Sequence, residues 1–296
     1  MTTLYADAVR LKLETGNEVE AFVRTGPGGI QRPKCLLLHG NPGSLLDWEQ
    51  LVPRLTRAAD IAAIDLPGFG KSRRSGLGPG ALSLDRLAEH AVGVANALDW
   101  REPIFLVGHS HGGGVAQVAA ARYPDRVAGI VLIGTLGGRA HASYRLLSVP
   151  GAAWVARALG GFFGFKRLRS LKRALLRQVM RDIFSPEPVS VEKLERELAS
   201  FESCPEILTS MVHVTRGRPC AQLLRSAPEI RCPTLFLHGA QDALVPAEYV
   251  KAIHDRISNA GGQSRFELVP GAGHLLINFQ ANHLADMICS SLTGVR

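Results

Sequence analysis

The chain has 296 residues, of which 46% are hydrophobic and 20% are charged. This balance is typical of a globular protein and excludes a disordered or fibrous one. A chain of this length can bury a large core in one domain and still accommodate an insertion. The net charge of +8 is concentrated in residues 138–225, which hold 15 Lys/Arg and 7 Asp/Glu, whereas the remainder holds 19 of each. This asymmetry indicates an inserted segment.

The sequence predicts neither a membrane span nor a secretory leader. No apolar run reaches the ~18 residues that span a bilayer. The first ten residues lack the basic stretch and following apolar stretch of a signal peptide. The five cysteines are scattered and have no C-x-x-C spacing. We therefore expect reduced thiols in a cytoplasmic protein, without a disulfide framework or a metal site.

Apolar runs typical of strands recur along the chain. Two alternating stretches, at 8–13 and 18–24, predict an N-terminal hairpin. Six further runs alternate with helical patterns such as Leu84–Leu98, and they lie at Cys35–Leu38, Ile61–Ile64, Ile104–Val107, Ala128–Ile133, Thr234–Leu237 and Ser264–Val269. Short apolar strands that alternate with helices predict an α/β fold, in which helices cover both faces of a mainly parallel sheet.

This alternation stops between Ile133 and Thr234. From about residue 137 to residue 224 only helical patterns and the basic excess are present. We therefore predict a helical lid (cap) at 137–225, inserted between a first part of the core at 1–136 and a second part at 226–296.

Ser110 lies in the pentapeptide Gly108-His109-Ser110-His111-Gly112, between an apolar run and a helical pattern. The pattern G-x-S-x-G between a strand and a helix indicates a nucleophile elbow. Its turn is so sharp that both flanking positions favour glycine. We expect the hydroxyl to stand above the strand end, where the helix N-terminus favours developing negative charge.

A serine nucleophile needs a base, and the base needs an orienting carboxylate. In this architecture they follow strand ends, in the order Ser, Asp/Glu, His. Asp242 follows a strand and a tight turn, and His274 closes the loop after the last strand. We predict Ser110, Asp242 and His274 as the catalytic residues. Asp255 and His283 are the alternatives, but both lie in helical stretches, which favour a surface or structural role.

Two backbone N–H groups would hold the oxyanion. One belongs to His111, directly after the serine. The other is expected from the loop at 37–44, where Pro42 has no N–H and Asn41 is the candidate. Gly40 would let this backbone approach closely. An ordinary Asn-Pro-Gly turn is the alternative interpretation of the loop.

These motifs together resemble the α/β-hydrolase superfamily over nearly the whole chain. The matching pieces are residues 39–43 with Trp48, 65–72, 108–112, 123–127, 239–242 and 270–274. The resemblance implies an α/β-hydrolase fold with a lid after the sixth strand, where the basic insertion falls.

The loop at 39–42 is similar to the oxyanion loop of haloalkane dehalogenases. Those enzymes and the related epoxide hydrolases use an aspartate nucleophile, whereas Ser110 suits acyl transfer. We therefore predict a serine esterase that cleaves a small ester with an apolar acyl or alcohol group through an acyl-enzyme. Hydrolysis of a C–C bond, a lactone, a thioester or a lipid with the same triad stays open. A non-catalytic ligand receptor with this fold is a further alternative. No metal or organic cofactor is implied.

Residues 162–177 combine basic residues with apolar positions at helical spacing. This pattern fits a lid helix over the active site, a contact with an anionic membrane surface, or steering of an anionic substrate. Trp48 and Phe165 are the candidate substrate contacts.

Nucleic acid is not expected, because no stacking aromatics are interleaved with the later basic positions. Residues 70–72 imitate a phosphate-binding loop, but Asp65 replaces its first glycine, so we predict no nucleotide site.

Overall fold

The computed structural model describes residues 4–14, 18–26, 32–72, 80–139 and 218–294, together with scattered positions between 149 and 213. Eight strands in these residues form one sheet. They are β1 (Ala8–Lys12), β2 (Glu18–Arg24), β3 (Lys34–Leu38), β4 (Asp60–Ile64), β5 (Ile104–His109), β6 (Val127–Ile133), β7 (Thr234–Gly239) and β8 (Ser264–Val269). The order across the sheet is β1-β2-β4-β3-β5-β6-β7-β8.

Strand direction in this sheet changes only at its N-terminal edge. β1 pairs antiparallel with β2, and β2 pairs antiparallel with β4. All other neighbouring strands run parallel. The predicted α/β fold, with a mostly parallel sheet and an N-terminal hairpin, is therefore confirmed.

Helices cover both faces of the sheet. The described ones are α1 (Val52–Leu55), α2 (Leu84–Ala97), α3 (His111–Arg122), α4 (Pro219–Ser226), α5 (Ala247–Asn259), α6 (Leu276–Phe279) and α7 (Ala281–Thr293). Side chains alternate along each strand, so Leu36 and Leu38 pack with α2 and α3, whereas Cys35 and Leu37 pack with α1 and α7. The sheet thus separates two apolar cores and holds its strand ends in fixed positions.

The predicted insertion leaves the sheet after β6, which ends at Ile133, and the chain returns through α4. Leu223 of α4 packs into the core beside α3. Most of residues 140–217, including Phe165, lies outside the described residues. The lid boundaries at 137 and 225 therefore stay a prediction.

The described residues bear on two expectations, about disulfides and about membrane spans. The described cysteines are all free, and they are Cys35, Cys220, Cys232 and Cys289. Cys204 lies outside the described residues. In the part of the chain that the structure describes, no helix has the length and apolar content needed to cross a membrane.

Glycines bring three backbone segments together at the end of β5. A side chain on Gly108 would overlap with the backbone of Gly112, and one on Gly112 would overlap with the carbonyl oxygen of Leu38. β3 and α3 can therefore approach β5 only because these positions lack a Cβ atom. The close contact fixes where the serine between the two glycines stands.

This packing predicts opposite effects for one substitution at two glycines. Gly112→Ala should lower the free energy of unfolding by about 1–3 kcal/mol, because the new methyl group overlaps with backbone. Gly93→Ala should raise it by about 0.5–1 kcal/mol, because Gly93 lies inside α2. The nearest atom to a Cβ on Gly93 would be a Leu13 methyl carbon at 3.8 Å, an ordinary contact. Urea denaturation of both variants tests the pair, and equal effects would contradict this account.

Candidate active site

Ser110 occupies a strained turn between β5 and α3. Its backbone angles are φ 49° and ψ −113°, a region that residues with a side chain rarely adopt. Its N–H donates to the carbonyl of Ile133 at 2.9 Å, and its own carbonyl accepts from Gly113 N–H at 3.0 Å. These bonds hold the turn at the carboxyl end of the sheet.

His274 and Asp242 reach Ser110 from the loops after β8 and β7. His274 Nε2 lies 3.0 Å from Ser110 Oγ, and His274 Nδ1 lies 2.8 Å from Asp242 Oδ2. The three side chains are at most 7% exposed. An ionised carboxylate only accepts, so Nδ1 donates to Asp242 and Nε2 is left to accept the serine proton. The structure thus brings together the three residues predicted as catalytic.

The alternative acid and base lie elsewhere. Asp255 forms an ion pair with Lys251 at 2.6 Å on the exposed side of α5. His283 is exposed on α7. Neither side chain belongs to the hydrogen-bonded chain at Ser110.

Two backbone N–H groups and two histidine rings surround the carboxylate of Asp242. Oδ1 accepts from the backbone N–H groups of Leu244 at 3.0 Å and Val245 at 2.8 Å. Oδ2 faces His274 and also His238, whose Nε2 lies at 3.5 Å. Burial acts to raise the pKa of Asp242, but His274 and the Val245 N–H outweigh it, so this pKa lies below its ordinary value. The carboxylate is therefore ionised where it faces His274.

Two further imidazoles each hold one loop of the site. A carbonyl only accepts, so each ring nitrogen must carry the proton. His109 Nε2 donates to the carbonyl of His274 at 3.0 Å. His238 Nε2 donates to the carbonyl of Val245 at 2.8 Å, and burial lowers the pKa of His238 and keeps the ring neutral. The first bond anchors the loop of the candidate base, and the second anchors the turn of the candidate acid.

His39 orients the peptide that carries the predicted oxyanion donor. Its Nε2 accepts from Leu66 N–H at 2.9 Å, so its Nδ1 carries the proton and donates to the Gly40 carbonyl at 2.7 Å. The Gly40–Asn41 peptide is trans. The N–H of Asn41 therefore points away from His39. A Cβ on Gly40 would lie 3.3 Å from Ser110 Cβ, so this backbone runs directly beside the serine.

Asp65 fixes the other end of the same loop. Its carboxylate is fully buried and accepts from Leu45 N–H at 2.7 Å, Lys71 N–H at 2.6 Å and the Tyr5 hydroxyl at 2.7 Å. Burial raises the pKa of Asp65 above the usual carboxyl value in spite of these donors. Both carboxylate oxygens of Asp65 therefore accept hydrogen bonds from neighbouring parts of the chain.

His111, the residue after the serine, begins α3. Its backbone N–H is one of the helix N-terminal donors that have no acceptor within the helix. Its side chain is 4% exposed, and burial together with the nearby His39 lowers its pKa to about 3. A neutral ring therefore lies beside the candidate nucleophile.

Comparison with known proteins identifies the family of the chain. A family model described as alpha/beta hydrolase fold matches residues 36–279. The chain belongs to the α/β-hydrolase family. The predicted resemblance is thereby confirmed, and the family is one of hydrolases that act on small molecules.

Relatives of this α/β hydrolase differ in the bond they cleave. The chain is 30% identical over 260 residues to a 2-hydroxymuconate semialdehyde hydrolase of Pseudomonas sp. (strain CF600), covering 83% of this chain and 84% of the relative. It is 27% identical over 249 residues to a pimeloyl-(acyl-carrier protein) methyl ester esterase of Neisseria meningitidis, covering 81% and 85%. The structure of a thermophilic esterase from Thermogutta terrifontis matches with a TM-score of 0.73 and 27% identity, over 97% of this chain and 98% of that one.

The two predicted substrate contacts are Trp48 and Phe165. Trp48 is fully buried, in the core cluster that also holds Leu45 and Leu51. Phe165 lies outside the described residues. Contact of either with substrate stays a prediction. Among the described residues, no group of three or more His, Cys, Asp or Glu side chains could hold a metal ion.

His39 predicts a specific kinetic defect. His39→Leu removes the donor to Gly40, so the Asn41 N–H loses its fixed direction, and we expect kcat to fall about 10- to 100-fold while KM changes little. His39→Asn keeps a donor near the position of Nδ1 and should retain more of kcat. Steady-state kinetics on a p-nitrophenyl ester test this order. A defect confined to KM would contradict the role given to His39.

His111 predicts part of the acid sensitivity of the fold. Its native pKa of about 3 lies below the usual 6.5, so the unfolded chain binds a proton that the native protein excludes. Stability should therefore fall as the pH drops from 6.5 towards 3, by at most about 1.4 kcal/mol per pH unit for this one group. His111→Met should flatten that slope, whereas His283→Met, at an exposed position, should leave it unchanged. Urea denaturation at steps of about one pH unit between pH 4 and pH 7 measures how the free energy of unfolding of both variants depends on pH.

Proposed function

We propose that this α/β hydrolase cleaves carboxylic esters through an acyl-enzyme on Ser110. The observation that carries the proposal is the continuous hydrogen-bonded chain from Ser110 Oγ through His274 to Asp242. A hydroxyl is a weak nucleophile until a neighbouring base takes its proton, and this chain supplies both the base and its orienting carboxylate.

The reaction would proceed in two similar steps. Ser110 Oγ attacks the ester carbonyl while its proton passes to His274 Nε2, and the resulting imidazolium is stabilised by Asp242. The backbone N–H groups of Asn41 and His111 would hold the oxyanion. Collapse of the tetrahedral adduct expels the alcohol, which takes the proton from His274. Water then attacks the acyl-enzyme with His274 again as the base. The bond between the acyl carbon and Ser110 Oγ breaks, His274 returns the proton to Oγ, and the acid leaves.

Burial supports the proposed roles of these residues. Ser110, His274 and Asp242 are almost fully enclosed, so their mutual electrostatic interactions are weakly screened. The three supporting imidazoles hold the oxyanion loop, the base loop and the acid turn before substrate arrives. We propose a substrate with an apolar acyl or alcohol group and no cofactor, since the triad itself supplies the nucleophile and the proton transfers. The cytoplasmic location stays a prediction.

Hydrolysis of a C–C bond is the second candidate. The observation that favours it is the 30% identity to a 2-hydroxymuconate semialdehyde hydrolase. The compound in that name has no ester bond, so its hydrolysis must break a C–C bond. A Ser, His and Asp triad can serve either reaction, and the described residues of the site are compatible with both.

Labelling with a fluorophosphonate probe tests the nucleophile. The wild-type chain should be labelled, and Ser110→Ala should not be. Ser290→Ala is the matched control, because Ser290 is exposed on α7 and donates to the carbonyl of Asp286. It should label like the wild type. Absence of labelling in folded wild-type protein would overturn the proposal and favour a ligand receptor.

The same protein then separates the two bond types. We expect kcat/KM for p-nitrophenyl butyrate to exceed that for 2-hydroxymuconate semialdehyde by at least about tenfold. A series of p-nitrophenyl esters of increasing chain length would measure the size of the acyl pocket. The reverse preference would replace the esterase proposal by C–C bond hydrolysis on the same triad.

A further inference from the structure

A short helical stretch of the insertion turns apolar side chains towards solvent. The described residues between 152 and 159 are helical, and the N–H groups of Trp154 and Val155 donate to the carbonyl of Gly151 at 2.9 and 3.1 Å. Trp154, Val155 and Leu159 are 75%, 48% and 47% exposed, whereas Ala156 is 6% exposed. We call Trp154, Val155 and Leu159 the outer apolar face.

Helical geometry places these three side chains on one side. Successive residues rotate by about 100°, so Val155 lies about 100° and Leu159 about 140° from Trp154. The exposed Ala158 falls between them. Every described residue on this side is therefore apolar, the reverse of the polar face that a surface helix usually shows to water.

Exposed apolar side chains are concentrated in this part of the chain. Among the described residues, only Val9 and Leu268 of the large exposed apolar side chains lie outside the insertion. The others are Val149, Trp154, Val155, Leu159, Leu171 and Val191. Scattered single residues of this kind need no explanation, but a cluster that includes a tryptophan indicates a surface that contacts a partner.

The charge of the same segment indicates the chemistry of that partner. Residues 139–181 contain ten Lys/Arg and no Asp/Glu. Among the described basic residues of this segment, Arg177 is exposed. Arg173 forms an ion pair with Glu195 at 2.7 Å. A segment of this net charge attracts anions and repels a second copy of itself. Self-association through the outer apolar face is therefore disfavoured.

We propose that the outer apolar face docks on an anionic phospholipid surface. Tryptophan prefers the boundary between water and hydrocarbon, because its ring is apolar and its N–H is polar. Valine and leucine beside it can enter the outer part of the acyl region, and the net positive charge of residues 139–181 attracts the phosphate groups. An apolar face on a segment of basic composition fits a membrane surface better than it fits a soluble acidic partner.

The position of the insertion connects this contact with the site. The chain leaves the sheet at the carboxyl end of β6, and Ile133 at that end accepts from the N–H of Ser110. The inference goes beyond the proposed hydrolysis, since docking does not require a working serine.

Vesicle co-sedimentation tests the proposal. The Ser110→Ala chain is used so that lipid cannot be consumed, with vesicles of phosphatidylcholine alone or with about one-third phosphatidylglycerol. We expect sedimentation with the anionic vesicles only, and its loss at about 0.5 M NaCl. Equal sedimentation with both vesicle types, or with neither, would overturn the proposal. Binding by this variant together with failure of fluorophosphonate labelling in the wild type would separate docking from hydrolysis.

Substitutions locate the contact. Trp154→Ser and Leu159→Ser, each added to Ser110→Ala, should lower vesicle binding at least about fivefold. Leu268→Ser is the matched control, since Leu268 is 51% exposed on β8, outside the insertion. It should bind like the parent. Circular dichroism and thermal melting check that each variant is folded. Binding unchanged in both insertion variants would contradict the proposal. Self-association that Trp154→Ser abolishes would also overturn it, in favour of a second copy as the occupant.

Discussion

The close approach of three backbone segments at the end of β5 is the constraint on which the site depends. β3, β5 and α3 can meet there only because Gly108 and Gly112 have no side chains. Their contact forces Ser110 into a positive φ and sets its hydroxyl above the sheet. The same contact brings the Gly40 backbone beside the serine. One packing requirement therefore positions both the candidate nucleophile and the candidate oxyanion donor.

Buried histidines carry much of the remaining organisation. His39, His109 and His238 each donate to a backbone carbonyl, and each carbonyl belongs to a different loop of the site. Burial disfavours the charged form of such rings, as the lowered pKa values of His111 and His238 show. A neutral ring can donate from one nitrogen and accept at the other. The loops are thus fixed without adding charge near Asp242. The consequence is that the free energy of unfolding falls in acid, because the native rings bind protons less readily than those of the unfolded chain.

Sequence patterns predicted the sheet well because its strands are short apolar runs with strong periodicity. The prediction of Ser110, Asp242 and His274 rested on spacing after strand ends, and the structure places their side chains within hydrogen-bond distance. The roles of His39 and His238 were missed. Each stands beside a glycine at a strand end, which is a visible signal, but the carbonyl that it binds depends on how the following loop folds back. Local sequence does not encode the distance between the ring nitrogen and that carbonyl.

The sequence by itself determined the order of strands and helices, the glycines of the elbow and the charge asymmetry of the insertion. These properties follow from local periodicity, steric freedom and composition, so they can be read without coordinates. Tertiary structure decided which acid and which histidine meet Ser110, since 32 residues separate Asp242 from His274 and 164 separate His274 from Ser110. It also decided that Trp154 faces water and Trp48 the core. Trp48 stands between Asp47 and Glu49 and Trp154 between Ala153 and Val155. Local polarity would therefore suggest the opposite placement, and packing against the rest of the chain decides it.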